Sequence, residues 1–440
     1  MAKHRLTYGL VAVAATALTL AGCTGTGGTT TTSAPAPAVV TIYGTPVDNE
    51  ASQWQASWDA WAQANNIKIE YTGDRAFSDN ISTRLQGNAL PDIAVFPQPG
   101  LMKAAIDTGK VVPLDATTLT TVQQNYSADW QSYGTVNNQQ FAVPLDASAK
   151  GYIWYSPAQF SAWGLTIPEK WADLMTLTDA IQQKTGAPVW CAGFSSDAAS
   201  GWPGTDQIAE YVLSAYGGDV YDQWVAGDIK FTDQQIADAF TALGKILLDP
   251  KYVNAGFGDV ASINSTGFGD VAVPLASGKC NLTNQATFLE ASVLTSKTAA
   301  GTVPTIAPNG DVWAFTMPKV GNDKTVVGGG DFAVAFSDRP EVQKVMNYLA
   351  SADYANSLIT VKGATFITAN QGVDVKKEAD PLLALAITTL ADPNVTFRFG
   401  AGDAMPSVVQ KAWWKGMVDW INGTDQATVL AQIQAAWADA

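Results

Sequence analysis

Histidine is almost absent: the single one, His4, lies within the first five of 440 residues. The folded body therefore has no imidazole for a catalytic base or a metal ligand. Cysteine is scarce too, and three residues are too few for a disulfide scaffold or a Cys-rich zinc site. Charged residues make up only 15% of the chain and are one-sided, 25 Lys and Arg against 40 Asp and Glu, for a net −15. A surface of that sign repels phosphate backbones, which argues against nucleic acid as a partner. Beyond residue 20 no segment reaches the ~18–20 uninterrupted apolar residues of a spanning helix. What is abundant builds cores: 47% of residues are hydrophobic, which excludes a disordered chain. At about 150 residues per domain, the length suggests two or three domains.

The first 22 residues read as an address. Lys3, His4 and Arg5 precede a small apolar stretch, 6–20, too short to span a membrane comfortably. The run Leu20-Ala21-Gly22-Cys23 looks like a bacterial lipobox, with cleavage before Cys23 and lipid on its thiol. Residues 1–22 are thus expected to be a lipoprotein signal peptide, and 23–40 a lipidated cysteine with its tether. TGTGGTTTTSAPAPA (24–38) has no charge and no large apolar residue. It cannot fold alone and would reach roughly 20 Å as a coil. The expected location is the extracytoplasmic face of the cell membrane. There an even remainder of cysteines, Cys191 and Cys280, favours a disulfide over two buried thiols.

From residue 39 the chain alternates strand and helix signals. Residues 39–43, 67–71 and 92–96 read as strands. Between them come a helix over 50–64, with Trp54, Trp58 and Trp61 on one face, and another over 79–87. This rhythm predicts a mainly parallel sheet with helices on its faces, and ligands beyond the carboxyl ends of its strands. Extended segments are expected over 141–145, 152–155, 312–317 and 330–336. Helices are expected near 169–184, 205–216, 233–248, 338–352, 405–421 and 426–437. Gly328-Gly329-Gly330 lacks the GK[ST] ending of a phosphate loop.

Several of these loops carry motifs in a familiar order. PDIAVFPQPG (91–100) and GDRAF (73–77) resemble loops of bacterial extracellular solute-binding proteins, the sugar-capturing subunits of ABC importers. So do AKGYIWYSPAQF (149–160), GWPGTDQIAEYVL (201–213), GGGDFAVAFSDRPEVQKVMNYLAS (328–351) and FRFGAGDAMPSVVQKAWWKGMVDWINGT (397–424). Within the family the chain is most similar to the α-glucoside-binding branch, where WCAG (190–193) and KCNLTNQATFL (279–289) recur with their cysteines bridged. It departs from that branch at Gly400 and Gly402, where an acidic residue and a serine are usual, and 406–414 is about one residue short. The resemblance implies an α/β, two-lobed fold of the periplasmic-binding-protein type (type II), with a ligand cleft between lobes. It implies one lobe from 41–149 with 315–362, and another from 150–314 with 363–440. It implies an α-glucoside ligand, a permease partner, a monomer, no enzyme activity, no cofactor and no metal.

Sugar recognition needs carboxylates, amides and guanidinium for hydroxyls, and aromatic plates for ring faces. Nine residues are the candidates. Glu50, Arg75 and Gln98 lie in the loops after the first three strands, where helix-dipole pairing, a surface ion pair or plain loop packing are the bland alternatives. Trp202 sits in Gly-Trp-Pro-Gly, read as a turn, and Asp206 is either a ligand contact or helix-start chemistry. Asp331 follows three glycines, at a contact site or a packed hinge. Asp403 stands in GAGDAMP with little nearby to satisfy it. Gln285 and Trp313 complete the set, while Trp414 on its helix reads as core. The competing reading is a surface-anchored glycoside hydrolase, which would need a pair of carboxylates at fixed separation. An adhesive surface protein is a third.

Overall fold

Strand Ala38–Gly44 carries the β-branched and aromatic residues of its sequence signal and buries both faces at its end. It lies between Ile67–Gly73 and Ile93–Phe96, paired in parallel with each. The helices Asp48–Ala64 and Phe77–Gly87 make the crossovers. The β-α-β-α-β expectation holds here. Trp54 and Trp58 are fully buried, and half-buried Trp61 stacks on Tyr348 at 4.1 Å. Two further strands complete this sheet, in the order Ile67–Gly73, Ala38–Gly44, Ile93–Phe96, Phe332–Ala335, Ala142–Pro144. Both added pairings are antiparallel.

The computed structural model describes residues 36–254, 257–322, 324–392 and 394–440. Cys23 and the tether up to residue 35 lie outside the described residues. Pro37–Ala440 is one compact unit. No helix among the described residues is long and apolar enough to cross a membrane.

A second sheet joins Trp313–Thr316, Tyr152–Tyr155 and Leu282–Gln285, antiparallel throughout. The expectation of a mainly parallel sheet in each lobe fails at this point. Parallel neighbours need crossovers that return the chain to the same end. These strands belong to three distant passes of the chain, each followed by a different excursion. A third sheet joins Thr396–Phe399, Thr325–Gly329 and Ser148–Ala149. Two large cores result. One surrounds the first sheet. The other gathers Trp171–Thr185, Trp202–Ala226, Gln234–Leu247 and Ser407–Ile421 against the second. Trp414 is core, as its helix position suggested. The architecture is the two-lobed one the resemblance implied. Segment 325–329 pairs with 396–399 and 148–149 rather than with the first sheet.

Proline hid several helices. Pro99–Asp107, Pro157–Trp163 and Pro381–Ala391 each open on proline, tolerated there because the first N–H groups have no helical partner. Cys191 and Cys280 form a disulfide across 89 residues.

Candidate ligand-binding site

The helix Trp202–Ala226 begins where the sequence suggested a turn. Gly201 takes φ +106 as its N-cap and Pro203 occupies the first turn. Trp202 is therefore helical, which corrects the turn assignment: Gly-Trp-Pro-Gly is a helix entry. Trp202, Asp206 and Glu210 fall at i, i+4 and i+8, on one face. That face meets two lysines. Lys150 Nζ donates to Asp206 Oδ1 at 2.7 Å and to Asp403 Oδ2 at 3.0 Å. Lys319 Nζ donates to Glu210 Oε1 at 2.8 Å, and Glu210 Oε2 accepts from the Val327 amide at 3.0 Å.

Asp403 has more company than its glycine-rich run promised. Gln410 Nε2 donates to its second oxygen at 2.8 Å. The expectation that little surrounds it is thus corrected: the short helix Ala401–Ala404 turns it toward Lys150. Lys150 side-chain exposure is only 8%. Burial lowers the pKa of this ammonium, but Asp206 and Asp403 outweigh it and hold the group charged. Burial pushes Asp206 up to about 7; Lys150 pulls against that and Asp403 adds to it. Asp206 Oδ2 is buried with no hydrogen-bond partner among the described residues.

An aromatic wall adjoins this cluster. The Lys150 ammonium lies 6.0 Å from the Trp202 ring centre. Half-buried Trp202 meets Phe268 edge-on at 5.2 Å and Phe288 at 5.7 Å. Gln285 is part of the support. Its Nε2 reaches the Phe268 carbonyl at 3.5 Å and its Oε1 accepts from the Ala286 amide at 2.9 Å. Trp313 is not brought in. It pairs with Tyr155 at one end of the second sheet, whereas Gln285 pairs with Tyr152 at the other. At ~3.4 Å per residue, those ends are about 10 Å apart.

The first lobe contributes a second set. Glu50, in the first turn of Asp48–Ala64, pairs with Arg75 at 2.7 Å. Gln98 caps Pro99–Asp107 and accepts from Ser78 Oγ at 3.1 Å. Asp331 stands where the chain passes from the third sheet to the first. Its amide donates to Asp146 Oδ1 at 3.0 Å, while Trp54 Nε1 donates to Asp146 Oδ2 at 3.1 Å. Burial raises Asp331 to about 6; the bond to Asp146 lowers it, and the Glu50 and Asp403 charges raise it further. Burial and the Asp331 charge keep Asp146 well above the usual carboxyl value. Asp331 thus lies within electrostatic reach of both sets.

The segments that carry the two sets also touch. Lys411 Nζ binds Asp79 Oδ1 at 2.7 Å, and both side chains are about half exposed. A Cβ on Gly100 would lie 1.9 Å from the Met405 carbonyl oxygen, so the backbones of 100 and 405 are in direct contact.

Three residues of this site escape sequence reading: Asp146, Lys150 and Glu210. The i, i+4, i+8 spacing after Trp202 would have revealed Glu210 had Trp202 been placed on a helix. No local signal marks Asp146 or Lys150, whose partners lie 56 to 253 residues away.

Residues 45–356 match the family described as bacterial extracellular solute-binding protein. The osmoprotective compounds-binding protein GgtB of Synechocystis is 30% identical over 404 residues, 90% of this chain and 92% of that one. The alpha-glucosides-binding periplasmic protein AglE of Rhizobium meliloti is 28% identical over 417 residues, 90% and 86% of the two chains. The solved structure of the bacterial solute receptor AcbH superposes with a TM-score of 0.76 at 15% identity, covering 91% of this chain and 99% of that one. Placed beside the two-lobed fold, these likenesses mean that the chain belongs to the bacterial extracellular solute-binding protein family, whose members capture substrates rather than transform them.

Proposed function

We propose that the protein is the extracytoplasmic sugar-binding subunit of an ABC importer and captures an α-glucoside di- or oligosaccharide for delivery to a membrane permease. One observation carries this reading: two carboxylates fixed on a buried lysine stand beside the half-exposed Trp202. Carboxylates accept from sugar hydroxyls, and an indole covers the apolar face of a pyranose. The name of AglE supports the α-glucoside class. The name of GgtB, an osmoprotective compounds-binding protein, is compatible with the same class. We further propose anchoring through lipid on Cys23, and a monomer. The lobe assignment proposed from the strand pairings keeps 325–329 with the second lobe and returns the chain to the first at about residue 330.

Titration calorimetry against maltose, isomaltose, trehalose, sucrose and galactose tests the reading. An α-glucoside should bind in the micromolar range or tighter, and galactose should not. Binding of none of these, or turnover of p-nitrophenyl α-glucoside, would overturn it.

A further inference from the structure

Among the described residues, Lys150 is the one lysine that touches both Asp206 and Asp403. It follows the strand Ser148–Ala149, and its amide donates to the Val327 carbonyl at 2.9 Å, so its backbone is fixed by the third sheet. Its ammonium fills space left by a missing side chain. A Cβ on Gly400 would lie 3.0 Å from both Lys150 Nζ and Asp403 Oδ2, and 3.5 Å from Asp206 Oδ1. A Cβ on Gly329 would lie 2.9 Å from Lys150 Cε. The stem thus passes over one glycine and the head rests against another. Any side chain at 400 would enter the triad.

We propose that Lys150, in the room left by Gly400, is a positioning residue of the binding site, holding Asp206 and Asp403 together as a paired acceptor for neighbouring sugar hydroxyls. The proposal rests on the sugar-binding reading above. Both carboxylates lie within 3.0 Å of one nitrogen, so without the cation they would repel at short range. The other groups facing Asp206 do not relieve this: the Glu210 carboxyl raises its pKa further, and Tyr221 supplies no counter-charge. Asp331 faces Asp403 from the opposite lobe. Lys150 is the only cation in direct contact with either carboxylate among the described residues.

Lys150→Met separates positioning from mere packing. Without the cation, Asp206 loses the group that lowers its carboxyl pKa, so its folded value rises further above the unfolded one. That penalty is absent at low pH and grows as pH rises through the folded values. The ligand-free Tm gap between wild type and K150M should therefore widen from pH 5 to pH 8.5. A gap caused by lost packing would not change with pH, and that result would overturn the proposal. If K150M does not fold at neutral pH, K150M/D206N is read instead. Removing one carboxylate with the cation should restore a stable fold whose Tm gap to wild type does not widen with pH, and failure to do so would also overturn the proposal. Calorimetry with the tightest-binding sugar of the panel forms the second arm, with K150M weakened at least tenfold. Unchanged affinity would overturn the positioning role. Should wild type bind no sugar at all, the functional reading fails while the Tm arm still judges the triad.

Discussion

On the proposed reading, Trp202 supplies the apolar face of the site and Asp403 its charged acceptor. Loss of a charge-assisted hydrogen bond costs about 1.5–3 kcal/mol, so Asp403→Ala should weaken sugar binding roughly 10- to 150-fold. Trp202→Ala should weaken it at least as much, because it uncovers a ring face. The sequence placed both residues on open loops, where truncation would leave the free protein nearly as stable. Their observed contacts say otherwise. Asp403 shares Lys150 with Asp206 and is held by Gln410. Trp202 carries two edge-on aromatic partners, worth about 0.5–1.5 kcal/mol each. Each variant should therefore also lose about 1–3 kcal/mol of stability. Calorimetry and thermal melts on the same samples check this; a lower Tm with wild-type affinity would make the residue structural. At this scale Trp202, Asp206, Asp331 and Asp403 could be picked out as candidates from residue type alone, whereas Glu210, Phe268 and Phe288 could not. Nor could Lys150 and Asp146, because a lysine or aspartate acquires meaning only from partners that the fold supplies.

The helix Trp202–Ala226 places three site residues on one face, so its entry angle matters more than its length. Gly201 sets that angle. Its φ of +106 is open to glycine, and a Cβ there would lie 2.2 Å from the Trp414 carbonyl oxygen. Gly201→Ala should combine a backbone penalty of about 1–3 kcal/mol with a forced shift of the helix start. Tm and sugar affinity should fall together. Gly164→Ala is the control: its φ is also positive, at +64, but no atom lies within 4 Å of the added carbon. It should lower Tm modestly and leave affinity intact. Equal effects of the two substitutions would show that the Gly201 contact does not position the site. The first three strands and most amphipathic helices were legible, because periodicity is local. Three helices that open on proline looked like loops, and in the second sheet 152–155 and 313–316 read as extended while 282–285 and the antiparallel pairing left no local trace. Partner choice among the strands 152–155, 282–285 and 313–316 is settled by packing over long separations.

The body Pro37–Ala440 holds every residue of the candidate site. Cys23→Ala should therefore release the protein from membranes while leaving its sugar affinity within twofold of wild type. Fractionation and calorimetry of the released form decide it; persistent membrane association would remove Cys23 as the anchor. The two-lobed plan came from motif order rather than from composition, and the crossing proposed near residue 330 rests on strand pairing alone. That pairing also bears on how the chain is made. Phe332–Ala335 sits between Ile93–Phe96 and Ala142–Pro144 in the first sheet. A ribosome delivers the two outer strands early and the inner one only when about three-quarters of the chain is complete. At ~5–20 residues per second, the gap between residues 144 and 335 lasts on the order of 10–40 s. Throughout that interval the sheet cannot close. For a chain that has to be threaded through a translocon before it folds, the delay is written into the order of its strands.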